Sequence, residues 1–334
     1  MRIPNAARWA LAVICVGVLV AAAGISAHRS ASSADARSKL SIIAPAAPGG
    51  GWDLVAREAQ QAMRTNGIVN NVQVVNVPGA AGTIGLGQLS QQAGDASTIM
   101  VTGTVMLGGV VRNDSPVTVD QMTPIARLAE DFEVIAVPKQ SKIKTIDELI
   151  SVWKADPHGF PIGGGSKGGV DHMIAALLAR EAGIPLQDLR YAAAAGGGEL
   201  TSSLLATAPG TPEVGISGFN DFRDLLEDGR LRALMVVAPE RLEGIEDTPT
   251  AEEAGFPDVD IVNWRGIVAP PGITKDQQDE LIKIVTETVD TDQWQAAVKR
   301  NRWKENMLTG EPFRQFLIDE QKRVTKILDD LGLT

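Results

Sequence analysis

Three glycine-rich segments are the parts of this sequence whose residue types could bind an anion. They are loop 1 (residues 48–53, PGGGWD), loop 2 (residues 78–83, PGAAGT) and loop 3 (residues 163–169, GGGSKGG). Glycine lets the backbone turn several N–H groups toward one point without a Cβ clash. Each loop follows a predicted strand, and a helix N-terminus behind such a loop adds roughly half a positive charge. For one such loop alone, a tight turn that simply needs glycine is the better interpretation. Three loops at matching strand ends predict an anion site.

Loop 3 also matches two catalytic patterns, and the rest of the sequence argues against both. The dinucleotide fingerprint GxGxxG begins at residue 163, but no acidic residue ends a following strand. The nucleophile elbow GxSxG begins at residue 164, but it needs a later histidine and none follows His172. Lys167 lacks the Ser or Thr that follows the lysine of a phosphate-binding P-loop. We therefore predict no catalytic residues in loop 3.

The small numbers of cysteine and histidine residues exclude further classes of site. The chain has one cysteine, Cys15, inside an apolar N-terminal run, and three histidines. Zinc sites built from Cys and His, and Cys/His catalytic pairs, are therefore excluded after residue 34, although a carboxylate-only metal site stays open. We expect no cofactor and no metal. The net charge of -10 repels a phosphate backbone, so nucleic acid is not an expected partner.

Three side chains around the loops have more than one interpretation. Asp53, in the first turn of a predicted helix, is expected to cap and organise loop 1, because a bare carboxylate would repel an anion. Trp52 could line the pocket or pack beneath it. His172 could contact the ligand or lie on the helix surface. Gly50 and Gly82 are expected to adopt positive φ, which a β-branched residue would not tolerate.

The N-terminus has the layout of a secretory signal. Arg2 and Arg8 precede an apolar run at residues 9–27, and small polar residues follow. The run is also about long enough to span a bilayer. Residues 1–34 are therefore either a cleaved signal peptide or an N-terminal anchor, and both place the remainder outside the cytoplasm, in the periplasm or at the cell surface.

Strands and helices alternate along the rest of the chain, which is typical of an α/β protein. A first series of strands is predicted at residues 41–44, 72–77, 98–102 and 132–137, and a second at residues 160–163, 189–193, 213–217 and 232–237. A strand at residues 261–269 precedes about three C-terminal helices. Capping boxes predict helices after Thr145, Thr250 and Thr274. We expect two lobes, each a mostly parallel sheet flanked by helices: residues 35–138 plus 262–334, and residues 139–261, with crossings near 137–139 and 261–268.

The loop sequences resemble those of a known family. Residues 44–53 and 76–85 are similar to Bug-type proteins, the substrate-binding components of tripartite tricarboxylate transporters. The GGGWD and GGSxGGxDH forms resemble the branch named for citrate and other tricarboxylates. The resemblance continues, in order, through residues 163–172, 196–199, 249–255 and 263–272. It implies a two-lobed periplasmic-binding fold (type II, flytrap), with the ligand in the cleft between the lobes.

The resemblance also implies which residues contact the ligand. In the first lobe they are Pro48, Gly49, Gly50, Gly51, Trp52, Gly79, Ala80, Ala81, Gly82, Thr83, Thr102, Gly103 and Thr104. In the second lobe they are Ser166, Lys167, Gly168, Gly169, His172, Ser217 and Asn220. The chain departs from the pattern at residues 192–195, four alanines where related sequences often carry a hydroxyl.

The implied function is capture of a small di- or tricarboxylate, citrate-like, for the transporter. The implied partners are a large and a small membrane subunit, and the protein is expected to be a monomer. An alternative function is a sensor that presents its ligand to a membrane receptor kinase. An enzyme on this scaffold is not expected, because the sequence lacks a nucleophile–base pair.

Overall fold

The computed structural model describes residues 36–206 and 210–333. The predicted signal peptide or anchor at residues 1–34 lies outside these residues. Within them the chain forms two sheets, one with six strands and one with five. No helix of the described part is long and apolar enough to cross a membrane.

The first sheet has the strand order β11-β4-β10-β3-β1-β2. Its strands are β1 (Lys39–Ala44), β2 (Asn71–Asn76), β3 (Thr98–Gly103), β4 (Thr123–Asp131), β10 (Asn263–Ala269) and β11 (Lys304–Thr309). The second sheet has the order β7-β6-β8-β5-β9. Its strands are β5 (Glu133–Pro138), β6 (Ile162–Gly164), β7 (Tyr191–Ala193), β8 (Val214–Gly218) and β9 (Leu231–Val237).

Ten α-helices of the described chain connect or cover these strands. In chain order they are α1 (Gly51–Thr65), α2 (Thr83–Ser90), α3 (Thr104–Arg112), α4 (Ile146–Ala155), α5 (Val170–Glu181), α6 (Gly197–Leu205), α7 (Phe219–Glu227), α8 (Lys275–Val289), α9 (Asp292–Arg300) and α10 (Gly310–Asp330). The caps predicted at Thr145 and Thr274 are confirmed, since each side chain accepts from the third residue of its helix. The box at Thr250 forms its reciprocal hydrogen bonds with Glu253 but supports only a turn.

The chain changes sheet earlier than the sequence indicates. We expected residues 132–137 to form a strand of the first lobe, but β5 pairs with β8 and β9 in the second sheet. The change occurs at Phe132, whose carbonyl oxygen accepts a hydrogen bond from the N–H of Phe219. No glycine or proline marks this point: a single residue, Phe132, separates β4 from β5, and the acidic residues that flank it, Asp131 and Glu133, belong to the strands themselves. The return occurs between Val237 and Asn263, where β9 ends and β10 begins.

Both sheets are mixed rather than mostly parallel in their pairing. The strands β1, β2 and β3 are mutually parallel, as are β6, β7 and β8. The strands that enter from the other sheet run against their neighbours: β5 is antiparallel to β8 and β9, and β10 is antiparallel to β3 and β4. Strand β4, with Pro124 and Arg127, and the polar edge strand β11 were not predicted, because neither has a simple alternating pattern.

The C-terminal helix α10 packs on the first sheet through its apolar face. Phe313, Leu317, Val324 and Leu328 are all buried. The ring of Phe313 meets that of the buried Trp264 edge-on, with 6.0 Å between ring centroids. Burying side chains of this size contributes roughly 1.5–3 kcal/mol each, so α10 is part of the core of its own lobe.

Candidate functional site

Loop 1 is organised by Asp53, as the sequence predicts. Its carboxylate accepts hydrogen bonds from the N–H of Gly49 (2.8 Å), from Arg57 Nε (2.8 Å) and from Asn76 Nδ2 (2.8 Å). Burial raises the pKa of Asp53, but these hydrogen bonds outweigh it and the pKa lies below its usual range. Gly49 supplies the positive φ of this loop (85°), whereas Gly50 has φ of -75°. The expectation for Gly50 is therefore wrong, because the left-handed turn falls one residue earlier.

Loop 2 has four consecutive residues at positive φ. They are Gly79 (126°), Ala80 (49°), Ala81 (52°) and Gly82 (91°). An alanine in the left-handed region costs on the order of 1–2 kcal/mol, and such strain clusters at binding and catalytic sites. The turn is held by hydrogen bonds to the carbonyl oxygen of Ala80 from Thr83 Oγ1 (2.9 Å) and from Asn113 Nδ2 (3.0 Å).

Trp52 packs beneath loop 2. Its indole is 6% exposed. A Cβ added to Gly82 would lie 2.8 Å from the Trp52 ring, and one added to Gly103 would lie 3.2 Å from Trp52 Nε1. Of the two interpretations of Trp52, the structure favours packing beneath the loops. Its Nε1 has no hydrogen-bond partner among the described residues.

The hydroxyls expected at the end of β3 are engaged inside the protein. Thr104 Oγ1 donates to the carbonyl oxygen of Val262 (2.7 Å) and accepts from the N–H of Trp264 (3.2 Å). Thr102 Oγ1 contacts Met106 Sδ at 3.4 Å. Both threonines are fully buried. Both side chains therefore stabilise the fold, and the hydrogen bonds of Thr104 join α3 to the connection that enters β10.

Loop 3 is held by His172. The N–H of Gly168, which has φ of 79°, donates to His172 Nδ1 at 3.0 Å. The imidazole packs against the Tyr191 ring, with 4.3 Å between centroids and the ring planes tilted by 39°, and His172 is 6% exposed. Burial, followed by the charges of Arg112 and Lys167, lowers the pKa of His172 to about 4. His172 is thus a neutral buried acceptor that shapes the loop, while Ser166 and Lys167 are exposed at its tip.

Helix α3 brings loops 2 and 3 close to each other. Gly108 packs against the carbonyl oxygen of Gly168 so closely that an added Cβ would overlap it. A Cβ on the next residue, Gly109, would lie 2.7 Å from the Cβ of Ala81. Two consecutive glycines therefore let one helix touch a loop from each sheet.

Ser217 and Asn220 point to different neighbours. Ser217 Oγ donates to Asp221 Oδ2 at 2.6 Å, near the end of β8. Asn220 Nδ2 donates to the carbonyl oxygen of Asn301 (2.6 Å), after α9 of the first sheet. Asn220 therefore links the two halves of the chain and is not brought to the glycine loops by any described contact.

Arg265 is a candidate site residue that we did not predict. On β10, it is 7% exposed, and a Cβ added to Gly51 would lie 2.9 Å from its Nη2. The guanidinium therefore lies against the N-terminus of α1. Its Nη2 donates to Asp131 Oδ2 at 3.2 Å. A buried Arg beside a glycine loop is the strongest cationic feature of this region.

Four carboxyl groups lie within the electrostatic reach of Arg265, and these too were not predicted. They are Asp131 at the end of β4, Glu133 at the start of β5, Asp171 in α5 and Asp221 in α7. Desolvation raises the pKa of all four above its usual value, and the charge of Arg265 opposes this rise without cancelling it. The pKa of Asp131 and that of Asp171 are raised to about 6. Asp171 and Asp221 fall in the first turns of helices, where sequence reasoning assigns acids to capping.

Comparison with known proteins identifies the family. Residues 55–333 match the sequence profile of the tripartite tricarboxylate transporter family receptor. This chain belongs to that family. Its members are substrate-binding proteins, which confirms the expectation of a binding protein and not an enzyme.

Individual relatives of this receptor agree in sequence and fold. Protein BugT of Bordetella pertussis (strain Tohama I) is 25% identical over 321 residues, which cover 95% of this chain and 96% of BugT. The structure of periplasmic binding protein BugD has a TM-score of 0.77 at 21% identity and covers 88% of this chain and 98% of BugD. MatC from Rhodopseudomonas palustris with bound malate has a TM-score of 0.74 at 22% identity, over 87% of this chain and 98% of MatC. The periplasmic-binding fold that the loop sequences implied is confirmed.

Proposed function

We propose that this receptor binds a small organic carboxylate between its two sheets. The observation that carries the proposal is the position of Arg265, whose guanidinium lies against Gly51 at the N-terminus of α1. A fixed cation and the positive end of a helix at one glycine loop favour an anion there. The backbone N–H groups of residues 49–51 and 80–82 are proposed to add hydrogen bonds, as the family resemblance implies.

The second lobe is proposed to close over the ligand. The two lobes are residues 36–131 with 263–333, and residues 133–237 with the connection that follows. Ser166 and Lys167 are exposed in loop 3, whose Gly168 contacts Gly108 of the first lobe. One Lys–carboxylate hydrogen bond is worth about 1–3 kcal/mol, a fraction of the energy of a micromolar complex. Closure of the lobes around several backbone N–H donors would supply the rest of the binding free energy.

The proposed role is delivery of the ligand, outside the cytoplasm, to the large and small membrane subunits of a tripartite transporter. Membership of the receptor family supports this role. The malate bound to MatC, a protein of the same fold, supports a carboxylate ligand. Citrate-like di- and tricarboxylates are therefore the first candidates.

A thermal-shift screen of mono-, di- and tricarboxylates in excess chelator tests the proposal. A ligand at 100 times its dissociation constant adds about 2.7 kcal/mol to the free energy of unfolding. We expect at least one carboxylate to raise the melting temperature, and chelator to leave the shift unchanged. A complete absence of shifts across the series would refute carboxylate binding, and a shift that chelator abolishes would show that an ion is required.

A further inference from the structure

The turn after α9, the brace turn (residues 300–304), has a strained backbone at one residue. It joins α9 to β11 in the first lobe. Within it, Arg302 has φ of 52°. The N–H of Arg302 donates to the carbonyl oxygen of Lys299, and the N–H of Trp303 donates to that of Val298. These two hydrogen bonds form a Schellman motif, with Arg302 at its left-handed position.

Other helices of the described chain have glycine at this position. Helices α1, α5, α7 and α10 end in the same pair of hydrogen bonds, and their left-handed residues are Gly67, Gly183, Gly229 and Gly332. A side chain at such a φ has a steric cost that glycine avoids. Local backbone preference therefore does not account for Arg302, and its side chain points to a tertiary role.

The side chain of Arg302 pairs with the second lobe. Its Nη1 forms an ion pair with Glu243 Oε2. Two residues later, Lys304 Nζ lies 3.4 Å from Glu240 Oε1. Both glutamates follow β9, and Leu242 between them packs against the core of the second lobe. Two cations of the first lobe therefore meet two carboxylates of the second.

Two further contacts run from side chains of α7, in the second lobe, to the end of α9. Arg223 Nη1 donates to the carbonyl oxygen of Arg300 (2.6 Å), and Asn220 Nδ2 donates to that of Asn301 (2.6 Å). The last carbonyls of a helix have no partner within the helix and carry partial negative charge, so a cationic donor is favoured there. The second lobe thus caps a helix of the first.

The brace turn lies beside a crossing between the lobes. Lys304 of β11 is paired with Glu130 of β4, two residues before the crossing at Phe132. Arg300 Nη2 also donates to Glu58 Oε1 at 2.6 Å, which fixes the turn to α1, the helix that begins at loop 1. The first-lobe side of these contacts is therefore anchored, and a rotation of the second lobe about the crossing has to break or shift them.

We propose that the brace turn is a third, non-covalent connection between the lobes, which limits how far the cleft opens. The chain itself passes between the lobes at Phe132 and again before Asn263, and hinge motions rotate domains about such crossings. The brace contacts favour the orientation in which Gly168 of loop 3 touches Gly108 of α3. Their loss shifts the population toward more open orientations by the free energy that they contribute.

The competing explanation is that these contacts are surface pairs without effect on the lobes. The side chain of Glu243 is 73% exposed, and exposed ion pairs contribute little to stability. Arg302 would then be only an unfavourable helix terminator, and its replacement by glycine would have a local benefit and no other effect. The radius of gyration of the ligand-free protein separates the two explanations, because it responds to the orientation of the lobes.

Small-angle X-ray scattering of the ligand-free full chain provides this measurement. Arg302→Glu keeps a side chain at the strained position and reverses the charge that meets Glu243. The radius of gyration, about 20 Å for a compact chain of this length, is expected to rise by roughly 0.5 Å or more. Adding Glu243→Arg to Arg302→Glu restores opposite charges and should return the radius of gyration to the wild-type value.

Arg302→Gly and Asp114→Gly form a matched pair of glycine variants. Asp114 has φ of 46° at the same position of the motif that ends α3, and its exposed side chain contacts the second lobe in no described hydrogen bond or ion pair. Asp114→Gly should raise the melting temperature by about 1–2 °C through relief of strain and leave the radius of gyration unchanged. Arg302→Gly relieves the same strain but should raise the radius of gyration.

The outcomes distinguish the two explanations. Expansion in Arg302→Glu and Arg302→Gly that the exchange of charges reverses supports the inference. An unchanged radius of gyration in both variants overturns it. Expansion that Glu243→Arg does not reverse also overturns it, because the cause would then lie in the turn itself. Melting curves show that each variant is folded, and no ligand takes part, so the proposed carboxylate function stands or fails separately.

Discussion

Gly108 of α3 lies in direct contact with the carbonyl oxygen of Gly168 in loop 3, with no room for a side chain between them. Helix α3 follows a strand of the first sheet, and loop 3 follows a strand of the second. This backbone contact therefore sets how closely loop 3 approaches the first-sheet side of the proposed binding site. A single methyl group at this point would separate them.

Gly108→Ala is expected to weaken carboxylate binding about tenfold or more, a loss of about 1.4 kcal/mol or greater, because loop 3 must move away from α3. Gly87→Ala in α2 is the matched control. It adds the same methyl group where nothing lies within 4 Å, and should stabilise the helix by about 0.5–1 kcal/mol. Calorimetry and melting curves on both variants make the comparison. Normal affinity in Gly108→Ala would show that this contact does not govern closure.

Thr104→Val and Thr102→Val should differ in stability although both residues are fully buried at the end of β3. Removing the Thr104 hydroxyl leaves the N–H of Trp264 and the carbonyl of Val262 unpaired, at a cost of about 1–3 kcal/mol. The Thr102 hydroxyl contacts only a thioether at 3.4 Å, and its loss should cost under about 1 kcal/mol. Denaturant unfolding without ligand measures both. Equal losses would contradict this account of Thr104.

Gly82→Val is expected nearly to abolish ligand binding, because Gly82 has φ of 91° and an added Cβ would meet Trp52 and Met106 at 2.8 Å. By contrast, Lys167→Ala should weaken binding by only about 1–3 kcal/mol, since one exposed cation is removed and the loop amides stay. Calorimetry provides the affinities, and melting curves show whether each variant is folded. If Lys167→Ala abolishes binding while folded Gly82→Val binds normally, side-chain charge, and not loop 2, holds the ligand.

The stability of Glu133→Gln should exceed that of the wild type at pH 8 and match it near pH 5. Desolvation and the charges of Asp171 and Asp131 raise the pKa of Glu133 well above 4.5, against the opposing effects of Asn263 and Arg265. A raised carboxyl pKa contributes stability below the unfolded pKa, and that contribution is lost as pH rises through the folded pKa. Glutamine stays neutral at every pH and does not lose this contribution. The free energy of unfolding of the variant should therefore exceed that of the wild type by about 1–3 kcal/mol at pH 8.

Denaturant titrations without ligand at several pH values measure this difference. The effect of His172 on stability has the opposite dependence on pH. Its pKa of about 4 lies below the usual 6.5, so the stability that neutral His172 contributes is lost as pH falls from 6.5 to 4. Because His172 is present in both proteins, its effect cancels in the comparison. Parallel pH profiles for the two proteins would show that Glu133 does not titrate as proposed.

The sequence by itself determined the local features of this receptor. Loops 1, 2 and 3 follow strands as predicted, Asp53 organises loop 1, and three helices follow β10. These features depend on residues within a few positions of each other, such as glycine at a turn or a carboxylate in a first helical turn. Such features can be predicted from the sequence because most of the interacting residues are close neighbours in the chain and their local preferences agree with the fold.

Only the tertiary structure decided which strands share a sheet and which charges meet. Strand β5 enters the second sheet after a single residue, Phe132, with no glycine or proline at the change. Asp131 and Arg265 form their hydrogen bond across 134 positions of sequence. Desolvation, which raises the pKa of Glu133, depends on how many distant segments pack around one carboxyl group. Such long-range pairing and burial have no local pattern in the chain, because they arise from contacts that form only when both sheets come together.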